Sequence, residues 1–239
     1  MIHETETNPA DISQRLQMVQ RRIVKTCVNC GRDPDSVRLV TVTKTMPASV
    51  VRNAIQSGAA TLGENYIQEA REKCRELSDM PVSWHFIGHL QTNKAKYAVK
   101  LFDVIHTVDS AHLAAALNHE AQKIGKIQPI LIQVNVGREL SKSGVAPEAV
   151  HQLICDIAEY PHISVRGMMA IPPFFDAPER VRPYFRQLRE LRDSLQSTAK
   201  TMGISLTELS MGMTGDFEAA IEEGATLVRI GTAIFGERS

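Results

Sequence analysis

The chain has 239 residues, 43% of them hydrophobic, and its 27 lysines and arginines are balanced by 27 aspartates and glutamates. This length is enough to bury a sizeable core, and the balanced charge argues against the basic surface typical of nucleic-acid-binding proteins. The first residues, MIHETETNPADISQRL, are polar and include no apolar signal segment, and no long apolar run follows. We therefore expect a cytoplasmic protein that contacts neither nucleic acid nor membrane.

The predicted elements begin with an amphipathic helix at about residues 11–30. After it, eight β-rich runs alternate with helix-length segments as far as the end of the chain. In chain order the runs are VRLVTVT, AATLG, SWHFIG, FDVIHTV, PILIQVNV, ISVRGMMAI, LTELSM and TLVRIG. The last run leads into barely one helical turn.

Eight βα units in a chain of this length predict a single-domain (β/α)8 barrel of the α/β class. No linker and no shift in composition divides the sequence, so we expect one domain over residues 1–239. The competing fold is a doubly wound open sheet. That fold usually carries a glycine-rich turn after its first strand, whereas TKTMP follows the first strand here.

The four cysteines are too few and too scattered to form a disulfide framework. Cys27 and Cys30 form a CxxC pair at the end of the predicted first helix. A redox pair usually lies at a helix N-terminus, where the helix lowers the thiol pKa. We therefore assign this pair no redox or metal-binding role.

Two histidines, His85 and His89, occur close together in WHFIGHLQTNK. Their spacing spans a strand end and Gly88 instead of one helix face, and no third metal ligand is evident. We predict hydrogen-bonding or structural roles for both histidines, and no metal site.

Lys44 directly follows the first predicted strand. In a (β/α)8 barrel the active site forms at the C-terminal ends of the strands. An amine near Val40 and Val42 is costly to bury with its charge, and a deprotonated amine is a nucleophile for carbonyl groups. The alternative is a lysine that extends along the strand end into solvent, which is the commoner case for an isolated lysine.

Two glycine-containing segments, SMGMTGD and RIGTAIFG, follow the seventh and eighth strands, where barrels often bind phosphate. Gly231 allows an anion to approach the backbone, and Thr232 offers a hydroxyl at the start of a short helix. Ser210 and Thr214 add hydroxyl groups from the preceding turn. With Lys44 across the barrel mouth, these segments predict a phosphorylated carbonyl compound that is held by an imine and by its phosphate.

The same motifs resemble those of the YggS/PROSC family of pyridoxal 5'-phosphate (PLP) homeostasis proteins. The matching segments are VTKTMP around Lys44, GENYIQE at 63–69, WHFIGHLQTNK at 84–94, HTVDS at 106–110, KSG at 142–144, SMGMTGDFEAAI at 210–221 and RIGTAIFG at 229–236. The resemblance extends nearly from end to end. Thr43, Thr107 and Thr214 stand where the family often has serine, which keeps each hydroxyl.

The resemblance implies a barrel like the N-terminal domain of alanine racemase, a fold type III PLP protein, with PLP as an aldimine on Lys44. It implies that Arg229 lies near the pyridine nitrogen, that Asn65 lies beside the cofactor, and that Ser210, Gly231 and Thr232 contact the phosphate. The implied cofactor-binding residues are Lys44, Asn65, Ser210, Met211, Gly212, Arg229, Gly231 and Thr232.

Three functions are compatible with a reactive lysine opposite a phosphate site. The resemblance implies a monomeric PLP homeostasis protein without substrate turnover, with PLP-dependent apoenzymes as receivers. The alternatives are a PLP-dependent amino-acid racemase and an aldolase that uses Lys44 directly on a phosphorylated sugar. Racemases of this type add a β-domain that supplies a second base, and because no such segment follows Ser239 we expect no turnover.

Overall fold

Eight parallel strands close into a barrel in chain order in the computed structural model, which describes residues 9–139 and 141–237. The strands are β1 (Arg38–Val42), β2 (Thr61–Glu64), β3 (Ser83–Phe86), β4 (Val104–Val108), β5 (Gln128–Gln133), β6 (Ile163–Met169), β7 (Glu208–Ser210) and β8 (Leu227–Ile230). The helices are α1 (Pro9–Asn29), α2 (Ala48–Gln56), α3 (Ile67–Glu76), α4 (Ala95–Leu101), α5 (Ala111–Lys123), α6 (Val150–Ile157), α7 (Arg182–Thr201), α8 (Phe217–Glu222) and α9 (Thr232–Phe235).

The predicted (β/α)8 barrel is confirmed, and the open doubly wound sheet is wrong, because β8 pairs with β1. Their parallel register runs from Arg38 opposite Leu227 to Thr41 opposite Ile230. The helix predicted at about 11–30 is α1. The domain limits 1–239 stay a prediction, since both chain ends lie outside the described residues.

Helix α1 covers the seam where the barrel closes. Its apolar residues recur at helical spacing, and Ile12, Leu16, Val19 and Ile23 are buried. The helix contacts α2, which follows β1, and α8 and α9, which precede and follow β8. The N-terminal helix therefore packs across the first and last βα units and helps to hold them together.

The barrel interior is apolar near its middle. Val40, Leu131, Met169 and Leu227 form a small cluster separate from the main core between strands and helices. Side chains alternate between the two faces of each strand, so residues two positions from this cluster also point into the barrel. Arg229 on β8 is one of them.

A row of four buried polar side chains, joined by hydrogen bonds, crosses the barrel interior below the C-terminal ends of the strands. Arg229 Nη1 donates to Ser210 Oγ at 2.6 Å. Ser210 Oγ lies 2.9 Å from Nδ1 of His106, whose Nε2 lies 2.9 Å from Nδ1 of His85. All four residues are at most 4% exposed. Side chains from four different strands are thereby joined in one row.

The direction of the first hydrogen bond in this row is fixed. An arginine can only donate, so Ser210 Oγ accepts from Arg229. The directions of the two bonds that involve histidine nitrogens follow from the ring tautomers. Both rings are neutral, because burial lowers the pKa of His85 to about 4 and that of His106 well below its ordinary value.

The two buried histidines predict a loss of stability in mild acid. The unfolded chain binds protons at both rings below about pH 6.5, whereas the folded chain leaves His85 neutral down to about pH 4. The free energy of unfolding should therefore fall as the pH is lowered through this window, by up to about 1.4 kcal/mol per pH unit for each histidine. Urea unfolding at several pH values measures the slope.

The matched variants are His85→Gln, which removes one buried titrating ring, and His112→Gln, which removes an exposed one on α5. The slope should be smaller in the first variant and unchanged in the second. An unchanged slope in His85→Gln would show that this ring takes up its proton equally in the folded and unfolded chain.

Candidate functional site

A cavity of about 290 Å³ opens at the C-terminal ends of the strands, near the lower end of the range for small-molecule sites. Its polar wall combines two basic side chains with the segments after β7 and β8. The polar and glycine residues of the wall are Lys44, Asn65, Thr214, Gly215, Asp216, Arg229, Gly231, Thr232 and Gly236. The apolar residues are Val42, Met46, Ile87, Ile171, Phe174, Phe175, Met213 and Phe235. The site therefore suits a partly apolar molecule that carries negative charge.

Lys44 enters the wall from the turn after β1. Strand β1 ends at Val42, and Lys44 is half-buried two residues later. Since Val42 also lines the cavity and Thr43 is fully buried on the other side of the strand, alternation directs Lys44 toward the barrel mouth. The lysine that was singled out from its position thus lies in the wall of the cavity.

Arg229 lines the same cavity from β8, the strand next to β1. Its guanidinium has five N–H groups, and two of them bond Ser210 Oγ at 2.6 Å and the Ala170 carbonyl oxygen at 2.9 Å. Burial lowers its pKa to about 10, so the group is still protonated at neutral pH. The remaining N–H groups can donate to a ligand that enters the cavity.

Asp216 is the carboxylate among the described residues of the wall. Its Oδ1 accepts a hydrogen bond from the Met213 backbone N–H at 2.6 Å. Burial raises its pKa, and the nearby charge of Arg229 opposes that rise. This bond closes the turn after β7 and directs the backbone between Met213 and Asp216 along the cavity.

The turn between β8 and α9 has glycine at its first position, where a side chain would be tightly placed. A Cβ on Gly231 would lie 3.1 Å from the carbonyl oxygen of Val42 and 3.2 Å from its Cβ. The glycine lets the turn pack against the end of β1, next to Lys44. On the facing turn, a Cβ on Gly215 would meet nothing within 4 Å. There is open space beside the backbone at that position.

Asn65 is held in the wall by a second close approach. A Cβ on Gly88 would lie 2.1 Å from the carbonyl oxygen of Asn65, so the segment after β3 fits only because residue 88 is glycine. Oδ1 of Asn65 is buried and accepts no hydrogen bond within the described part of the chain. An unused acceptor in the wall is available to a ligand.

Five of the eight predicted cofactor-binding residues come together in the cavity wall: Lys44, Asn65, Arg229, Gly231 and Thr232. The other three, Ser210, Met211 and Gly212, are not part of the wall. Ser210 and Met211 are fully buried, and the Ser210 hydroxyl is used by Arg229 and His106. The hydroxyl that the β7 turn presents to the cavity is that of Thr214.

His106 was not assigned a role from the sequence, although its motif was noted. The available signal was its position on β4, two residues from Val104, which packs against the apolar cluster inside the barrel. A histidine at such an inward position has to be paired within the barrel. Its two partners, on β3 and β7, are evident only once the barrel is closed.

The remaining histidine and cysteine motifs lie away from the cavity wall. His89 Nδ1 shares a hydrogen bond of 3.1 Å with Ser143 Oγ, so the hydrogen-bonding roles expected for His85 and His89 are confirmed. At the end of α1, Cys27 is buried and Cys30 is exposed. Within residues 9–139 and 141–237, no three His, Cys, Asp or Glu side chains converge as metal ligands, and no helix has the length and apolarity to cross a bilayer.

Comparison with known sequences identifies close relatives over nearly the full chain. Residues 24–239 match the family model for the N-terminal domain of alanine racemase. The chain is 47% identical over 225 residues to the pyridoxal phosphate homeostasis protein of Aquifex aeolicus, covering 94% of this chain and 97% of that protein. It is 41% identical over 235 residues to the protein of the same name from Escherichia coli K12, covering 95% and 97%.

Comparison with solved structures gives the same relationship. PipY of Synechococcus elongatus, solved with PLP bound, superposes with a TM-score of 0.83 at 36% identity, covering 94% of this chain and 100% of PipY. Alanine racemase of Clostridium difficile 630 superposes with a TM-score of 0.70 at 15% identity, covering 94% of this chain but 57% of the racemase. The racemase likeness concerns the fold alone. The chain belongs to the family of pyridoxal phosphate homeostasis proteins, which is built on the alanine racemase N-terminal barrel.

Proposed function

We propose that this chain binds PLP in the cavity, holds it through Lys44, and acts in PLP homeostasis without turning over a substrate. The names of its relatives and the PLP-bound structure of PipY support this function. The observation that carries it is that Lys44 and Arg229 line one cavity, with threonine- and glycine-containing turns along its rim.

The cavity matches three polar groups of PLP, namely its aldehyde, its ring nitrogen and its phosphate. Lys44 offers an amine for the aldehyde, and Arg229 offers N–H donors for the ring nitrogen. Gly231, Thr232 and Thr214 offer a backbone approach and two hydroxyls for the phosphate. When bound, PLP supplies an aldehyde whose carbon forms a C=N bond with a lysine amine while its oxygen leaves as water.

The buried polar row explains how Arg229 is held as a donor. Ser210 and Ala170 each accept one of its N–H groups, and Ser210 Oγ is also hydrogen-bonded to His106 Nδ1. Both histidine rings of the row are neutral at neutral pH. The guanidinium therefore presents N–H groups only, and a ring nitrogen that accepts from it has to be unprotonated. Such a ring is a weak electron sink.

The wall also contains few groups that could move a proton. Among the described lining residues the ionisable side chains are Lys44, Asp216 and Arg229. Asp216 already accepts the Met213 N–H, and Arg229 stays protonated. A two-base racemase needs a second base on the face opposite the lysine. Besides Lys44, the candidate base among the described lining residues is Asp216, whose Oδ1 is held in the turn after β7, and this small set favours a carrier over the racemase alternative.

The proposal also covers how PLP leaves the protein, which is through the mouth of the cavity. The rim includes Phe174, which is 85% exposed, so the mouth opens directly to the surface. We infer that the chain works as a monomer in the cytoplasm and that PLP passes from this mouth to PLP-dependent apoenzymes. The open rim supports transfer that needs no channel through the barrel.

The first test of the function is covalent trapping at Lys44. Reduction of the PLP-loaded protein with borohydride should label one lysine, and peptide mass mapping should locate it at Lys44. Lys44→Ala should remove this adduct completely, because no other described lysine lines the cavity. Lys94→Ala is the control. Like Lys44, Lys94 follows the C-terminal end of a strand, in this case β3, but it lies outside the cavity wall. Equal labelling of Lys44→Ala would place the attachment elsewhere.

The second test concerns turnover. The PLP-loaded protein, mixed with L-alanine in deuterated water, should exchange the α-hydrogen no faster than free PLP at the same concentration, and it should form no D-alanine. The reason is the unprotonated ring together with the small number of proton-accepting side chains in the described part of the wall. NMR measures exchange, and chiral chromatography measures racemisation. Rapid racemisation that Lys44→Ala abolishes would make the racemase alternative correct.

A further inference from the structure

The two residues that flank Lys44 are tied to helix α3 and to the end of β2. Thr43 is fully buried, and its hydroxyl donates to Glu64 Oε1 at 2.6 Å. The Thr43 carbonyl oxygen accepts from Lys73 Nζ at 2.6 Å, and the Thr45 N–H donates to Glu69 Oε2 at 2.8 Å. Both sides of Lys44 are thus fixed by side chains that lie outside the cavity.

Lys73 joins these contacts into one cluster. Its side chain is 7% exposed, and Nζ lies 2.6 Å from Glu64 Oε1 and 3.5 Å from Glu69 Oε2, besides its bond to Thr43. An ammonium group has three hydrogens, and here each has an acceptor. A buried lysine with three acceptors is bound as a charged group in a defined position.

The cluster holds the backbone in a conformation that the local sequence does not favour. Thr45 has a φ of 66°, in the left-handed region that β-branched residues rarely adopt. Such a conformation costs about 1–3 kcal/mol and persists where surrounding contacts hold it. Here the Thr45 N–H bond to Glu69 is one of those contacts, and it turns the chain directly after Lys44.

We propose that Lys73, Glu64 and Glu69 form a positioning cluster that fixes the backbone of Thr43 and Thr45, so that the Lys44 amine meets the aldehyde carbon of the ligand. None of the three residues lines the cavity. The cluster therefore affects how readily Lys44 forms its covalent bond to the ligand. It does not affect the contacts that the cavity makes with the ring and the phosphate. This inference rests on the proposed function, because it assigns the cluster to the attachment step at Lys44.

The test separates attachment from binding with two ligands. PLP can form the covalent bond, whereas 4-deoxypyridoxine 5'-phosphate has the same ring and phosphate but no aldehyde. Lys73→Met removes the three donors at nearly constant length. It should weaken retention of covalently bound PLP about tenfold or more, because a misplaced amine loses its reaction geometry. Its Kd for 4-deoxypyridoxine 5'-phosphate should stay within about twofold of the wild-type value.

Loss of Lys73 leaves Glu64 buried without its cation, which can unfold a chain, so Glu69→Ala is the second variant. The Glu69 side chain is 34% exposed. The variant removes only the acceptors of Glu69. It should weaken retention of covalently bound PLP, though less than Lys73→Met does, and it should leave the Kd for 4-deoxypyridoxine 5'-phosphate unchanged. Lys126→Met is the control. Lys126 is also held by hydrogen bonds from its Nζ, in this case to the backbone carbonyl oxygens of Val99 and Phe102, and it lies away from the cavity.

The outcomes are distinct. If a folded variant loses affinity for both ligands equally, the cluster supports the cavity as a whole and the proposal is wrong. If neither ligand is affected in Glu69→Ala and in folded Lys73→Met, the proposal is also wrong. If the wild-type protein binds 4-deoxypyridoxine 5'-phosphate but forms no covalent bond with PLP, the proposed attachment at Lys44 is wrong, and the positioning proposal is wrong with it. This result is obtained from the wild-type protein alone, before any variant is compared.

Discussion

The parallel pairing of β8 with β1 is the constraint on which the site depends. Val40 pairs with Arg229 across this seam, so Lys44 and Gly231, a few residues further along the two strands, emerge at the same rim although 187 positions separate them in the chain. A Cβ at Gly231 would lie 3.1 Å from the carbonyl oxygen of Val42, so the two strand ends are close to each other. Helix α1 packs against α2, α8 and α9, the helices beside this seam.

From this seam the site is organised as two buried polar systems, one behind each cation. Behind Arg229, a row of neutral groups that ends in His85 holds the guanidinium through Ser210. Behind Lys44, the charged group of Lys73 holds the flanking backbone. One system is neutral and orients a side chain, whereas the other is ionic and orients a turn.

Much of this could be predicted from the sequence, because the barrel is specified locally. Eight β-rich runs with helical segments between them give the fold, and residues just after a strand end fall at the rim, which is why Lys44, Gly231 and Thr232 were found. Ser210 is different, because it is the last residue of β7 and points inward one layer below the cavity, while Thr214 reaches the wall. Lys73 looks like an ordinary polar position on a surface helix, and only the contacts of α3 with the end of β1 reveal its role.

The most direct test of the account is a crystal structure of the wild-type protein soaked or co-crystallised with PLP. The account predicts continuous electron density from Lys44 Nζ to the ligand, with the ring nitrogen within hydrogen-bond distance of Arg229. It also predicts the phosphate between the turn after β7 and the start of α9, against Gly231, Thr214 and Thr232. Density for PLP that is detached from Lys44, or that lies at another lysine with the cavity empty, would contradict it.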